Sequence, residues 1–173
     1  DKLFSNMSLI YSYYYYGLEL DLVGFQWDSG IQNFNFKHDF NYYLSSDTKL
    51  NFGLNNIYYR FNPGEIKPNR SDSGIVRDKL TDKYANEFAT YIDVKQNVSE
   101  ALSIQYGLRW SRFDRLGQEL FYSYENNEAV SYDPTFDLYS EATPKGQEQQ
   151  DRNTSIATFN HLEPRLGVSY LIN

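Results

Sequence analysis

The sequence contains no cysteine, which removes disulfide frameworks, thiolate metal sites and cysteine nucleophiles together. Histidine is nearly absent as well. His38 and His161 are the only two, and no HxxxH spacing accompanies them, so neither a metal centre, nor a catalytic dyad, nor a bound cofactor is expected. Also missing is any run of about 20 apolar residues, the length an α-helix needs to cross a bilayer. The longest apolar stretches are broken by Asn, Ser or charge within a few positions. Positive charge is in deficit: 16 Lys and Arg against 23 Asp and Glu give a net charge of -7. An acidic chain without a basic stripe repels phosphate backbones, so no nucleic-acid partner is expected. Residue 1 is Asp rather than Met, and no apolar signal-peptide core follows it. Tyr170 to Asn173 still read as strand, so both ends are expected to be cuts through a longer chain.

What the chain has in quantity is aromatic residues, with 17 Tyr and 12 Phe, side chains suited to half-buried pleated surfaces. Mean hydropathy is negative. That excludes a helical membrane protein but leaves a transmembrane β-barrel open, because only alternate residues of a barrel strand face lipid. The dominant pattern has period two, in six stretches. Met7, Leu9, Tyr11, Tyr13 and Tyr15 share one face of the first. Phe34, Phe36, His38, Phe40, Tyr42 and Leu44 alternate with Asn33, Asn35, Lys37, Asp39 and Asn41. Leu50, Phe52, Leu54 and Tyr58 follow, then Phe88, Thr90, Ile92 and Val94. Leu102, Ile104, Tyr106, Leu108 and Trp110 alternate with Ser103, Gln105, Gly107 and Arg109, and Leu162, Leu166, Val168 and Tyr170 with Glu163, Arg165, Gly167 and Ser169. None of these apolar faces carries Asp, Glu, Lys or Arg. A lipid-facing Arg or Lys costs roughly 2–4 kcal/mol at the bilayer midplane, so their absence is what a membrane wall requires.

The connections alternate in length. Ser45-Ser46-Asp47-Thr48 and Asn97-Val98-Ser99-Glu100 have the composition of tight turns, and a first turn is expected around Gly24 to Ser29. Longer polar loops are expected from Arg60 to Lys83 and from Asp114 to Thr154. All the long loops then fall on one side of an antiparallel sheet, as in outer-membrane barrels with short periplasmic turns. Tyr13 to Tyr16, Tyr42, Tyr43, Tyr58, Tyr59, Trp110 and Phe113 cluster where strands meet loops, the level of an aromatic girdle. A soluble sandwich alternates in the same way, but its strands centre on about 5–6 residues; here several stretches reach the 9–11 that a membrane strand needs. The expected fold is therefore all-β: an antiparallel meander of six long transmembrane strands. Barrels of the outer membrane start at about eight strands, so residues 1–173 are expected to be a partial transmembrane β-barrel domain, with the remaining strands elsewhere.

Three segments carry a family resemblance. Leu50 to Gly64 (LNFGLNNIYYRFNPG), Leu102 to Phe113 (LSIQYGLRWSRF) and Phe159 to Tyr170 (FNHLEPRLGVSY) together resemble, in order and spacing, barrel strands of TonB-dependent outer-membrane receptors of the Bacteroidetes type. The resemblance implies a 22-stranded barrel enclosing a plug domain, set in the bacterial outer membrane. It implies import of a scarce nutrient (a metal chelate, cobalamin or an oligosaccharide) with energy delivered by the TonB complex through the plug. The plug and its TonB-contacting segment are not in this sequence.

Within that frame Glu87, Tyr91, Asp93, Arg109, Glu163 and Arg165 are the candidates for the lumen wall and for contact with the plug. The competing reading of Arg109, Glu163 and Arg165 is an ion-pair ladder that serves only the wall. Tyr122, Tyr124, Tyr132 and Tyr139, set among carboxylates and amides in the longest loop, are the candidates for contact with a small molecule or glycan; an ordinary solvated loop has the same composition. The acid pair Glu125 and Glu128 has no second motif to support glycosidase chemistry, so no catalytic residue and no enzyme is expected. Two further function classes stay open: a passive porin or structural barrel, and a soluble carbohydrate-binding β-domain.

Overall fold

The computed structural model describes residues 2–117 and 120–172. Six long strands form the main sheet: β1 (Leu3–Leu20), β2 (Phe25–Tyr43), β3 (Thr48–Pro68), β5 (Lys83–Asn97), β6 (Leu102–Leu116) and β11 (Ser155–Tyr170). The two-residue β4 (Asp78–Lys79) pairs with β3. In the longest loop, β7 (Leu120–Ser123) pairs with β10 (Gly146–Gln149), and β8 (Val130–Asp133) with β9 (Leu138–Glu141). Every pairing is antiparallel, and the long strands lie in the order β1-β2-β3-β5-β6-β11. The fold is an all-β antiparallel meander. It is an open sheet, not a closed barrel, with β1 and β11 as its edges.

Turn chemistry accounts for the hairpins. The Ser45 hydroxyl accepts from the Asp47 amide at 3.2 Å, and the Ser99 hydroxyl accepts from the Leu102 amide at 3.1 Å, so each short turn is closed by its own side chains. The first turn lies at residues 21–24, earlier than expected. Gly24, at φ 72°, supplies its left-handed position, and its amide bonds to the Leu20 carbonyl at 3.0 Å. The strands also run further than their apolar pattern. β3 continues to Pro68 through a bulge opposite Asp28 and Gly30, and β6 continues to Leu116, so both long loops are shorter than expected. The second of them is not structureless, since two β-ribbons are built into it. At the far end β11 stops at Tyr170 and the Leu171 amide still bonds to the Ala101 carbonyl; Asn173 lies outside the described residues.

The sheet has almost no core. Among the described residues only Tyr84, Ala85 and Ala89 are buried hydrophobics. A folded monomer of 20.4 kDa exposes about 8,800 Å², whereas this chain exposes 12632 Å². Leu9 and Leu166 are 75% and 76% exposed on the same face of the sheet. Backbone pairing, not burial, organises the chain, and a face this apolar demands a cover from outside it.

Candidate functional site

Directly paired residues of neighbouring strands project to the same face, so the register assigns every side chain. One row reads Met7, His38, Leu54, Thr90, Trp110, Leu162, and another Leu3, Tyr42, Leu50, Val94, Tyr106, Leu166. All six apolar stretches therefore fall on a single face. Within the strands the apolar part occupies nine residues on each of four: Phe34–Tyr42, Leu50–Tyr58, Leu102–Trp110 and Leu162–Tyr170, with Leu44 of the expected second stretch falling beyond the end of β2 at Tyr43. Its polar members are few and mostly satisfied internally. Thr90 Oγ1 donates to the Gly53 carbonyl at 3.0 Å, and Asn56 accepts from Asn86 at 3.2 Å. His38 falls at the middle of this band rather than at its border, between the rings of Phe40 (4.1 Å) and Phe36 (6.4 Å).

The band runs obliquely to the register. Its loop-side edge is Phe34 on β2, but Leu162 on β11 shares a row with His38, four residues further towards the short turns. The turn-side edge shifts equally, from Tyr42 on β2 to Tyr170 on β11, four residues past the Tyr42 row-mate Leu166. Four strand-to-strand steps separate β2 from β11, so both edges slip by an average of one residue per step, all of it between β3 and β6.

The opposite face is polar, and all six expected lumen candidates lie on it. Asp39, Gly53, Tyr91, Arg109 and Glu163 form one row. Tyr91 on β5 reaches across β3 to Asp39 on β2, its hydroxyl donating at 2.7 Å, and Lys37 pairs with the same carboxylate at 2.8 Å. That reach depends on Gly53, where a Cβ would stand 2.6 Å from the His38 carbonyl and 3.0 Å from the Tyr91 ring. Asp93 likewise lies over Gly107 of the next strand. Arg109 pairs with Glu163 at 3.8 Å and Arg165 with Glu163 at 3.3 Å, while Tyr59 donates to Glu87 at 3.4 Å. The structure thus places the six on one face but in separate contacts, Tyr91 with Asp39 and Lys37, Arg109 and Arg165 with Glu163, Glu87 with Tyr59, and Asp93 over Gly107, with Asp39, Lys37 and Tyr59 absent from the expectation. Three shielded carboxamide oxygens on this face, of Asn35, Asn51 and Asn55, accept no hydrogen bond from the described residues.

The loop candidates divide. Tyr132 and Tyr139 are direct partners across the β8–β9 ribbon, with ring centroids 4.9 Å apart, and Tyr132 donates to Asp137 at 2.8 Å. That hydrogen bond raises the Tyr132 phenol above its ordinary value. Tyr122 sits on β7 and Tyr124 precedes a short 3₁₀ turn (Glu125–Asn127); among the described residues no ring contact links them to the pair. His38 and His161 project from opposite faces. No group of three metal-ligating side chains occurs among the described residues.

Beyond the band, on its loop side, the apolar face turns ionic. Arg112 and Asp114 pair at 2.7 Å, and Ser155 and Thr158 donate to the same carboxylate at 2.8 and 2.6 Å. The Arg112 guanidinium, with the two hydroxyls, holds Asp114 well below the usual carboxylate range against the opposing effect of burial. Arg60 and Lys79 share Asp82, at 2.6 and 3.5 Å. Arg152 donates to the Tyr58 hydroxyl at 3.2 Å and stacks over the Tyr84 ring at 4.5 Å. Farther out Lys67 pairs with Asp28 and, with the Tyr15 hydroxyl, keeps its carboxyl low. These residues were missed because the apolar lists stop at the last apolar side chain. Continuing the two-residue frame past Trp110 and Tyr58 places Arg112, Asp114 and Arg60 on this face.

No protein-family model, no curated protein and no solved structure matches the chain.

Proposed function

We propose that the chain forms part of the wall of an outer-membrane barrel that imports a scarce nutrient (a metal chelate, cobalamin or an oligosaccharide) with energy delivered through TonB. The observation that carries the membrane half of this reading is the oblique nine-residue band. Strands 4.8 Å apart, slipping on average one 3.3 Å residue per step from β2 to β11, are tilted on average by about 35° from the normal to the band, and barrel strands tilt by about 35–45°. At that tilt nine residues span about 24 Å, close to the ~25 Å apolar girdle of such barrels. A band set by lipid must cut across the register in this way. Lipid supplies the missing cover for the exposed leucines, and the polar face turns towards an aqueous lumen.

The importing half rests on the resemblance of Leu50–Gly64, Leu102–Phe113 and Phe159–Tyr170 to TonB-dependent receptors, and on the polar face. In this reading Glu87, Tyr91, Asp93, Arg109, Glu163 and Arg165 line the lumen beside the plug. Tyr122, Tyr124, Tyr132 and Tyr139 stand in loops on the extracellular side.

Uptake of radiolabelled iron chelate, cobalamin and oligosaccharide separates this from a passive pore. Cells carrying the whole protein should accumulate one of the three only while the TonB complex is intact. Uptake that persists without TonB, in proportion to external concentration, would assign the wall to a porin.

A further inference from the structure

On the loop side of the band the two faces of β1, β2 and β3 exchange character. The face that carries lipid-like residues within the band turns ionic, with Asp28, Arg60, Glu65 and Lys67. The opposite face, polar within the band, turns aromatic. Its successive rows read Ser12, Asn33, Tyr59, then Tyr14, Ile31, Phe61, then Tyr16 beside Ser29, then Leu18, Trp27, Ile66. From Ser12, Asn33 and Tyr59 to the loop ends of these three strands, this face carries no Asp, Glu, Lys or Arg. The nearest charges in the same rows, Asp78, Lys83 and Arg115, stand on β4, β5 and β6, and the two cations hold partners of their own.

The rings form a ladder along the strands. Tyr59 and Phe61 stack with centroids 5.6 Å apart, and Tyr16 meets Trp27 edge to face at 5.5 Å. Tyr14, level with Phe61, is 63% exposed and Tyr16 is 50% exposed. Trp27 lies against Gly64, where a Cβ would stand 2.4 Å from the indole Nε1, so the backbone of β3 makes room for the ring. From Trp27 to Asn33 the ladder spans six residue steps of β2, about 20 Å. At its foot Asn33 donates to the Ser12 hydroxyl at 3.4 Å, which leaves uncharged donors and acceptors beside the last ring.

We infer that this ladder binds an uncharged oligosaccharide, whose successive sugar rings lie on Trp27, Tyr14, Phe61 and Tyr59 and whose hydroxyls meet Ser12 and Asn33. The inference rests on the import reading above and chooses among the three nutrients left open there. A sugar ring has C–H-rich faces and a rim of hydroxyls, so it needs flat apolar side chains flanked by uncharged polar groups. An anionic chelate needs cations, and these three strands send all of theirs to the other face. A corrin is one compact ring system and has no use for rings repeated over about 20 Å. Lipid is excluded as the cover, because the same face carries Lys37, Asp39, Arg109 and Glu163 where it passes the band.

The test is equilibrium dialysis of the whole protein in detergent micelles, which needs no TonB. The probes are linear neutral hexasaccharides of glucose, mannose and xylose with their disaccharides, the acidic hexasaccharide of galacturonate, a ferric catecholate chelate and cobalamin. At least one neutral hexasaccharide should bind, more tightly than its own disaccharide and in preference to the other three. Its affinity should fall about fivefold in Trp27→Ala and about 25-fold in Tyr14→Ala/Trp27→Ala, one factor for each ring. Trp27→Phe, which keeps a ring, should retain most of the affinity. Tyr13→Ala, the loss of a tyrosine from the other face of β1, should leave it unchanged. Binding of no neutral hexasaccharide, preference for galacturonate, chelate or cobalamin, or equal behaviour of Trp27→Ala and Tyr13→Ala would overturn the sugar ladder and leave the importer standing. Hexasaccharide binding without TonB-dependent uptake would overturn the importer and leave the ladder standing.

Discussion

An arginine placed at Leu108 should destabilise the protein in a membrane, and one placed three residues earlier at Gln105 should not. Leu108 lies on the apolar face beside Ile92 and Pro164, one pleat from Tyr106 at the centre of the β6 band. Two residues along a strand tilted by about 35° place it about 5 Å from the midplane of a ~25 Å girdle. The cost of Arg falls from about 2–4 kcal/mol at the midplane to 0–1 at the borders, which makes Leu108→Arg worth about 2 kcal/mol, or about 30-fold in the folding equilibrium. Gln105 lies on the polar face opposite Lys95, so Gln105→Arg meets a like charge and loses a few tenths of a kcal/mol. Urea titration of folding into phospholipid vesicles, read by the heat-dependent shift of the folded band on gels, measures both. Equal destabilisation, within about 0.5 kcal/mol, would refute the assignment of faces. The oblique band adds a sharper demand. Arginine at Trp110 should be nearly free, while arginine at its row-mate Leu54, at the centre of the β3 band, should cost the midplane penalty.

Other substitutions probe the same account. Gly53→Ala should cost about 1–3 kcal/mol in the vesicle titration, because the new methyl meets the His38 carbonyl and displaces the Tyr91 ring; in a Tyr91→Phe background only the backbone part of that cost should remain. His38→Leu should stabilise the vesicle-inserted protein by about 1 kcal/mol, since it removes a polar ring from the middle of the apolar band; destabilisation would mean that the imidazole has a polar partner in the assembled protein. Asp114→Asn should cost about 1.5–3 kcal/mol at neutral pH, as hydrogen bonds to a charged group do. The Asp114 carboxyl is depressed in the folded state, so its contribution is complete above the unfolded value of about 3.9 and is lost as pH falls below it. The stability gap between Asp114→Asn and the unaltered protein should therefore close on acidification and be flat from pH 5 to 8. A gap that widened on acidification would show that another group governs the site.

Much of this fold is legible in the sequence because the strongest signal in it, period-two alternation, is the one a sheet with two unlike faces imposes on every strand. Strands centred on Phe36, Leu54, Tyr91 and Tyr106 could be placed, and their polar and apolar faces separated, with no knowledge of pairing. Strand ends were not legible. Past Tyr58 and Trp110 the outer face changes from lipid-like to ionic, so alternation of hydropathy disappears although the backbone ladder continues through Arg60 and Asp114. The reach of Tyr91 to Asp39 over Gly53 was equally hidden. It joins residues 52 apart, and it depends on a register between β2, β3 and β5 that no single strand reveals. Arg152 on Tyr58 and Tyr84 links a loop to strands far away in the chain, a contact that composition does not announce. In the longest loop the Tyr132 and Tyr139 pair depends on ribbon register alone.

The central claim is that one face of the sheet meets lipid and the other meets water. Single cysteines along β6, in a chain that has none of its own, test it most directly. Each variant, in native membranes, is treated with a lipid-phase thiol reagent and with a membrane-impermeant aqueous one. The account predicts lipid-phase labelling at Leu102, Ile104, Tyr106, Leu108 and Trp110, aqueous labelling at Ser103, Gln105 and Gly107, and a switch at Arg112, where the apolar face leaves the band. Labelling of both sets by the same reagent, or a chain that stays soluble and monodisperse without detergent, would contradict it.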